Sequence, residues 1–333
     1  MQYLITGAAG FIGSFLCHKL AKEGNKIIAI DNFSKYYDIG LKNARIKELL
    51  EPLNIDVINL DITDALKFDN LVSKSKPDVV INLAAQAGVR LPVIETDKYV
   101  NSNLVGFSNV LRSTINNKVP FFLYASSSSV YGDKAAIPYI ESEQNLHPTS
   151  FYGATKLANE LLTPTLIQNS STTARGLRFF TVYGPWGRPD MAYFRMITNV
   201  ISGAEFNFFG DGSVERDFTF IDDAVNSVMA LSTELQKRKP GYSDVVNLGG
   251  GRPLSMNYLL ETVSSISKNE VKFNRLNSNT NDAKKTMSDS KYIESLIGSK
   301  PSTKLEDGIA KTIEWAMHKD ISSNLNNWVK SVQ

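Results

Sequence analysis

The chain reads as an α/β protein, a doubly wound parallel sheet with a smaller, interleaved C-terminal domain. Three observations predict this. Short apolar runs alternate with helical stretches through the N-terminal half. Those runs are of the kind buried on both faces of a parallel sheet. A glycine-rich turn joins the first run to the first helix.

Taken in order, strands are expected at 3–6, 26–30, 55–59, 79–83 and 121–125, with helices at 11–23, 41–50, 68–73 and 99–116 between them. Right-handed crossovers connect such units. A long helix covers 152–168. Past residue 180 the rhythm loosens. Residues 182–190 hold two prolines and two glycines and read as a loop. Residues 206–212 read as a short strand and turn, Ile221–Leu235 as a helix, and 245–248 as another core strand. The polar stretch 277–282 reads as a surface loop. The expected division is 1–180, with 217–250 returning to it, as one domain, and 181–216 with 251–333 as the other.

The 333 residues suffice for one large core or two modest domains. A net charge of +2, from 36 basic and 34 acidic residues, gives no electrostatic reason to expect nucleic acid or an anionic membrane as partner. No apolar stretch approaches the ~20 residues of a membrane span, and no signal peptide is expected. One cysteine, Cys17, allows no internal disulfide and makes the cytoplasm the default compartment. Cys17 itself reads as a small buried apolar residue. His18, His147 and His318 are scattered, so no catalytic metal is expected.

The segment Gly7-Ala8-Ala9-Gly10-Phe11-Ile12-Gly13 ends a strand and opens a helix. Glycines there allow a tight turn and close approach to a pyrophosphate, and the helix N-terminus offers free N–H groups and positive dipole to the anion. The spacing is GxxGxxG. Asp31 closes the second strand, where a carboxylate accepts hydrogen bonds from both hydroxyls of an adenosine ribose and repels a 2′-phosphate. That favours NAD over NADP; Lys35 nearby pulls the other way. Asp61 either reaches the adenine edge or caps the following turn.

Tyr152-Gly153-Ala154-Thr155-Lys156 puts a phenol and an ammonium on one helix face. A cation beside a phenol favours phenolate, below its ordinary value of about 10. Such a tyrosine takes a proton from a substrate hydroxyl while hydride leaves the same carbon. Ser126-Ser127-Ser128-Ser129-Val130-Tyr131-Gly132 follows the fifth strand, at the sheet end where ligands bind. Some of those serines serve only the turn backbone.

Together with Leu83-Ala84-Ala85, these segments resemble the extended short-chain dehydrogenases/reductases, a Rossmann-type family, from residue 2 to about 290. The resemblance implies that Tyr152 is the base, that Lys156 orients the ribose and tunes Tyr152, and that Ser127, four residues before Tyr131, holds the sugar hydroxyl. It implies a cofactor set of Gly7, Gly10, Phe11, Ile12, Gly13, Asp31, Asn32, Asp61, Ile62, Leu83, Ala84, Ala85, Tyr152 and Lys156. Asn101 either bridges cofactor-side backbone or caps a helix. The family also implies a homodimer through a four-helix bundle of 99–116 and 152–168, in which Pro164 should kink or shorten the second helix.

Dehydratases and decarboxylases of the family carry acidic residues just after the catalytic serine. This chain has Ser128 and Ser129 there, so no general acid serves a leaving hydroxyl. Three segments resemble the subgroup that inverts C4 of UDP-glucuronate: Tyr36-Tyr37-Asp38 followed by Leu41-Lys42 and Ala44-Arg45; Ala84-Ala85-Gln86-Ala87-Gly88-Val89-Arg90; and Thr181-Val182-Tyr183-Gly184-Pro185-Trp186-Gly187-Arg188-Pro189-Asp190-Met191. The resemblance implies Arg90, Ser128, Ser129, Thr181 and Arg188 around the sugar. Arg188 is suited to holding a uronate carboxylate with a fork of charge-assisted bonds, Thr181 adding a hydroxyl. Arg216 and, more weakly, Arg275 face the diphosphate, Phe208 lies on the uracil or in the core, and Asp282 touches the uridine ribose. A neutral UDP-hexose, a UDP-glucuronate decarboxylase and a non-catalytic dinucleotide sensor are the alternatives. Retention of both Tyr152 and Lys156 speaks against a sensor.

Overall fold

Seven strands form one parallel sheet in a computed structural model that describes residues 1–88, 93–277 and 283–332. The first six are β1 (Gln2–Thr6), β2 (Lys26–Asp31), β3 (Val57–Asn59), β4 (Val79–Asn82), β5 (Phe121–Ser127) and β6 (Thr173–Phe179). The chain then passes through β7 (Thr181–Tyr183), β8 (Asn207–Phe209) and β9 (Glu215–Phe220). It returns to the sheet as β10 (Ser243–Leu248) and adds β11 (Pro253–Ser255) and β12 (Asn274–Leu276). The sheet order is β10-β6-β5-β4-β1-β2-β3, every neighbouring pair parallel. The order reverses between β1 and β4, which opens a crevice beyond the carboxyl ends of those strands.

Helices cover both faces. In chain order the first helices are α1 (Phe11–Lys22), α2 (Ile39–Arg45), α3 (Ala65–Ser75), α4 (Thr96–Tyr99), α5 (Phe107–Asn116), α6 (Phe151–Ile167), α7 (Ala192–Ser202), α8 (Ile221–Leu235) and α9 (Met256–Ser267). Of these, α1, α3, α5, α6 and α8 lie against the main sheet, while α7 and α9 pack in the smaller layers. On one face Phe68, Val72, Phe107, Val110 and Leu111 pack on Ile30, Val80 and Phe122. On the other, Leu16, Cys17 and Leu20 of α1 meet Val225, Val228 and Leu231 of α8 over Ile5 and Ile81. Cys17 is fully buried and burial pushes its thiol up, in keeping with a packing role.

β6 is a strand the sequence pattern hides. Its segment, Thr173-Ala174-Arg175-Gly176-Leu177-Arg178-Phe179, breaks an apolar run with two arginines, yet every residue is buried. Both charges are paired: Arg175 with Asp244 at 2.7 Å and Glu234 at 2.6 Å, Arg178 with Glu160 at 2.7 Å. Three other expectations are corrected. Residues 182 and 183 belong to β7 rather than to a loop, because they pair with β9. The helix expected at 99–116 starts at Thr96 and passes through a π-helical stretch, Val100–Gly106, before α5. Pro164 does not end α6, which runs on to Ile167.

Beyond β6 the chain also builds a three-stranded sheet, β11-β9-β7, and a two-stranded one, β12-β8. They stand across the crevice from the main sheet. Asp217, fully buried, anchors β9 by accepting from the N–H groups of Gly250, Gly251 and Ser288. Arg90 and Asp282 lie outside the described residues.

Candidate active site

A cleft of about 2690 Å³ lies between the sheet and the smaller layers. Its floor is the turn between β1 and α1. Gly7 has φ +73°, and a Cβ there would stand 2.9 Å from the Ala84 nitrogen. A Cβ on Gly13 would stand 2.1 Å from the Gly7 carbonyl oxygen. Gly10 donates to that same carbonyl at 2.9 Å and caps α1 without a side-chain acceptor. The first N–H groups of α1 therefore have no capping side chain, and Gly10, Phe11, Ile12 and Gly13 all line the cleft. This is a cradle that fits a dinucleotide pyrophosphate, and any side chain at Gly13 would collide with the backbone of the turn that forms it.

Asp31 is buried, and both its oxygens are engaged. Oδ1 accepts from Phe33 N–H at 2.8 Å and Lys42 Nζ at 2.9 Å; Oδ2 accepts from Ala9 N–H at 3.2 Å. Lys42 was visible only as part of a motif, with no sign that it would sit on Asp31. Asp61 caps its own turn, accepting from Thr63 N–H at 2.8 Å, and takes a bond from Asn32 at 2.8 Å. Burial pushes its carboxyl up, but these hydrogen bonds outweigh that and hold it low. Asp61 itself does not line the cleft; Asn32, Leu60, Ile62, Leu83, Ala84 and Ala85 do.

The structure places Asn101 on an exposed surface outside the cleft. The bridging position belongs to Asn103, which is buried. It accepts from Gln86 N–H at 2.8 Å and donates to Thr155 Oγ1 at 3.1 Å. That ties the loop after β4 to α6, and two positions along the helix, about half a turn, put Asn103 rather than Asn101 on the inward face.

Tyr152 and Lys156 rise from the first turns of α6, whose N-terminus is capped by Ser150 accepting from Gly153 N–H at 3.0 Å. Lys156 Nζ donates to the Ala125 carbonyl at 2.9 Å and stands 5.6 Å from the Tyr152 ring centre. Burial pushes the Lys156 ammonium down to about 8. Burial also raises the Tyr152 phenol; the Arg188 guanidinium and a hydrogen bond with Ser127 pull it the other way. Two cations thus bear on the phenol: Lys156 over its ring, and the Arg188 guanidinium, which favours its ionised form. Ser127 Oγ donates to Ser129 Oγ at 3.1 Å, and Ser127, Ser128 and Ser129 all face the cleft. Ser126 turns inward and bonds Glu160. Behind it, Arg178 donates to both oxygens of Glu160 and to the Tyr131 hydroxyl at 2.8 Å, and Tyr131 donates to Asn247 at 2.8 Å. This buried network holds the end of β5 from below.

Across the cleft, Thr181 opens β7 and Arg188 follows it. Arg188 is paired with Asp190, and Tyr36 donates to Asp190 at 3.2 Å. Burial works against both charges, but their pairing lowers Asp190 and raises Arg188. Phe208, Arg216 and Arg275 line the far wall. Phe208 is buried against Phe206 and Phe273, with the Arg275 guanidinium 5.3 Å from its ring. Arg216 donates to Glu215 and Ala283 carbonyls at 2.9 and 2.8 Å.

A dinucleotide cradle opening onto a buried phenol, with arginines on the opposite wall, defines the dinucleotide-dependent enzymes that act on an alcohol carbon of an anionic substrate. Within that class the chain belongs to the NAD dependent epimerase/dehydratase family, which it matches over residues 3–249. It is 35% identical to the probable UDP-glucuronate 4-epimerase of Rhizobium meliloti (strain 1021), covering 95% of this chain and 96% of that one. It is 38% identical to UDP-glucuronate 4-epimerase 5 of Arabidopsis thaliana, covering 95% and 76%. Its fold matches that of UDP-glucuronic acid 4-epimerase from Bacillus cereus in complex with UDP-glucuronic acid and NAD, with TM-score 0.86, 33% identity and 95% and 98% coverage.

Proposed function

We propose that this chain is an NAD-dependent UDP-sugar 4-epimerase that converts UDP-glucuronate to UDP-galacturonate through a 4-keto intermediate. The observation that carries the reading is that Arg188, a cation suited to a uronate carboxylate, and Tyr152 line one cleft together with the dinucleotide cradle. The likeness to UDP-glucuronate 4-epimerases over nearly the whole chain supports it.

Residues 7–13 would hold the cofactor's pyrophosphate and Asp31, with Lys42, its adenosine ribose. Bound NAD supplies a reversible hydride acceptor at C4. Tyr152 takes the proton of the 4-hydroxyl and returns it after the sugar turns over. Ser127 hydrogen-bonds the reacting oxygen. Lys156, fixed on Ala125, orients the ribose and adds positive potential beside the phenol. Arg188 and Thr181 hold the carboxylate of the substrate, and Arg216 and Arg275 its diphosphate. A 4-keto uronate is a β-keto acid, so holding its carboxylate away from the perpendicular also suppresses loss of carbon dioxide. Ser128 and Ser129 offer no carboxyl group for dehydration.

The same reading makes the protein a cytoplasmic homodimer. α6 leaves Leu161 65% exposed, with Leu162 and Leu166 also exposed, an apolar face that a second copy would cover.

The test is incubation of NAD-loaded protein with UDP-glucuronate in deuterium oxide. UDP-galacturonate without solvent deuterium in the sugar is the expected product. Deuterium at C5, or no turnover, overturns the assignment.

A further inference from the structure

Arg45 is a fully buried guanidinium that the proposed reaction does not use. The two buried arginines of β6 are each paired with carboxylates. Arg45 differs: among the described residues its hydrogen bonds end on neutral oxygens. Nε donates to the Trp186 carbonyl at 2.8 Å and Nη2 to the Gly187 carbonyl at 2.9 Å. Nη1 donates to the Ala9 carbonyl at 3.1 Å and to the Tyr37 hydroxyl at 2.6 Å. Burying a cation without a counter-charge is costly, so this geometry points to a task beyond packing.

The three carbonyls belong to two loops. Ala9 lies in the glycine turn, and its own N–H is bonded to Asp31. Trp186 and Gly187 immediately precede Arg188. Trp186 has φ +61°, a left-handed conformation unusual for a residue with a bulky side chain. Such backbone persists only where its surroundings over-determine it. Arg45 grips the carbonyl on that side. On the other, a Cβ on Gly187 would stand 1.6 Å from the Tyr193 hydroxyl oxygen, so the loop has little room to shift.

We infer that Arg45 is a positioning residue that locks the glycine turn and the Arg188 loop into one unit, so that discrimination for a carboxylate-bearing sugar depends on it. The inference rests on the reading of Arg188 as the carboxylate's partner. Arg45→Lys keeps the charge but replaces a planar fork by a point donor unable to span both loops.

The experiment is calorimetric binding of UDP-glucuronate, UDP-glucose and UDP to NAD-loaded protein. The wild type binds UDP-glucuronate more tightly than UDP-glucose. Arg45→Lys reduces that ratio by about tenfold while UDP and UDP-glucose stay within about twofold of wild type. In an Arg188→Ala background the same substitution leaves the ratio unchanged. An undiminished ratio in Arg45→Lys, or an equal loss for all three ligands, overturns the inference and leaves the epimerase reading standing. A wild type without preference for UDP-glucuronate overturns both. Should Arg45→Lys not retain NAD, Tyr37→Phe removes one acceptor and no charge; it must lower the same ratio, and an unchanged ratio there overturns the inference equally.

Discussion

Arg188 and Asp190 form a two-bond pair, Nε to Oδ1 at 3.0 Å and Nη2 to Oδ2 at 2.5 Å. Two of the five guanidinium N–H groups are thereby committed within the protein, and, among the described residues, the Nη1–Nη2 end stays free to make a fork on a uronate carboxylate beside the Thr181 hydroxyl. Asp190 then fixes the direction in which that end faces. Asp190→Ala is expected to lower kcat/KM for UDP-glucuronate about 10- to 100-fold, the scale of about 1.5–3 kcal/mol for hydrogen bonds to a charged group. Steady-state kinetics check it. An unchanged value would mean that Arg188 needs no such partner.

Arg188→Ala separates binding from restraint. Removing the guanidinium is expected to raise KM for UDP-glucuronate or to increase the fraction of decarboxylated UDP-pentose, read by chromatography of the products. It also removes a cation that pulls the Tyr152 phenol down. The alkaline rise that marks ionisation of this phenol should therefore move to higher pH. If KM, product ratio and pH profile all stay put, Arg188 has no part in the site.

Much of this site was legible in the sequence, and the illegible part has one physical origin. The glycine turn and the Tyr152–Lys156 pair are local: their chemistry demands fixed spacing along one strand end or one helix face. Lys42 on Asp31, Asn103 on Thr155 and Arg45 on Trp186 are tertiary meetings between residues distant in sequence, and no periodicity announces them. β6 was hidden for a related reason. A buried strand is recognised by its apolar run, and Arg175 and Arg178 interrupt that run while their counter-ions come from α6, α8 and β10.

The Arg178–Glu160 pair yields a stability prediction. Both side chains are buried, and Glu160 also takes the Ser126 hydroxyl. Removing one partner leaves an uncompensated buried charge, at a cost of about 3–5 kcal/mol. Glu160→Ala should lose that much in urea unfolding. Because the pair supports the end of β5 carrying Ser127, kcat should fall as well. A loss under about 1 kcal/mol would place the charge in contact with water.

Lys156 gives a pH dependence whose sign is fixed by its burial. Its ammonium titrates near 8 in the folded protein, against 10.5 for a free side chain. Between those values the unfolded chain binds more protons, so folding stability rises with pH from about 8 upward and is lowest below it. At neutral pH the charged form costs about 3 kcal/mol, at 1.36 kcal/mol per unit. Lys156→Met removes this cost together with the Ala125 hydrogen bond. Protein stripped of dinucleotide is therefore expected to unfold at higher urea concentration as Lys156→Met than as wild type at pH 7, with the gap closing by pH 10. A gap independent of pH would show that the ammonium keeps its ordinary value.

The cradle is tested most sharply at Gly13. A methyl group there would overlap the Gly7 carbonyl at 2.1 Å, and the nearby backbone of Ala8 leaves it no second direction, at 3.0 Å. Gly13 lies within α1, where alanine is otherwise the better helix former. Gly13→Ala therefore sets a small local gain in helix propensity against displacement of the turn that presents the N–H groups of Phe11 and Ile12. Displacement should win, because the collision is with backbone rather than with a flexible side chain. NAD affinity is expected to fall about 10- to 100-fold while the far-ultraviolet circular dichroism stays that of wild type, since the sheet does not depend on this turn's exact course. Retained affinity would mean that the turn relaxes without moving its N–H groups, and that the glycine serves helix packing alone.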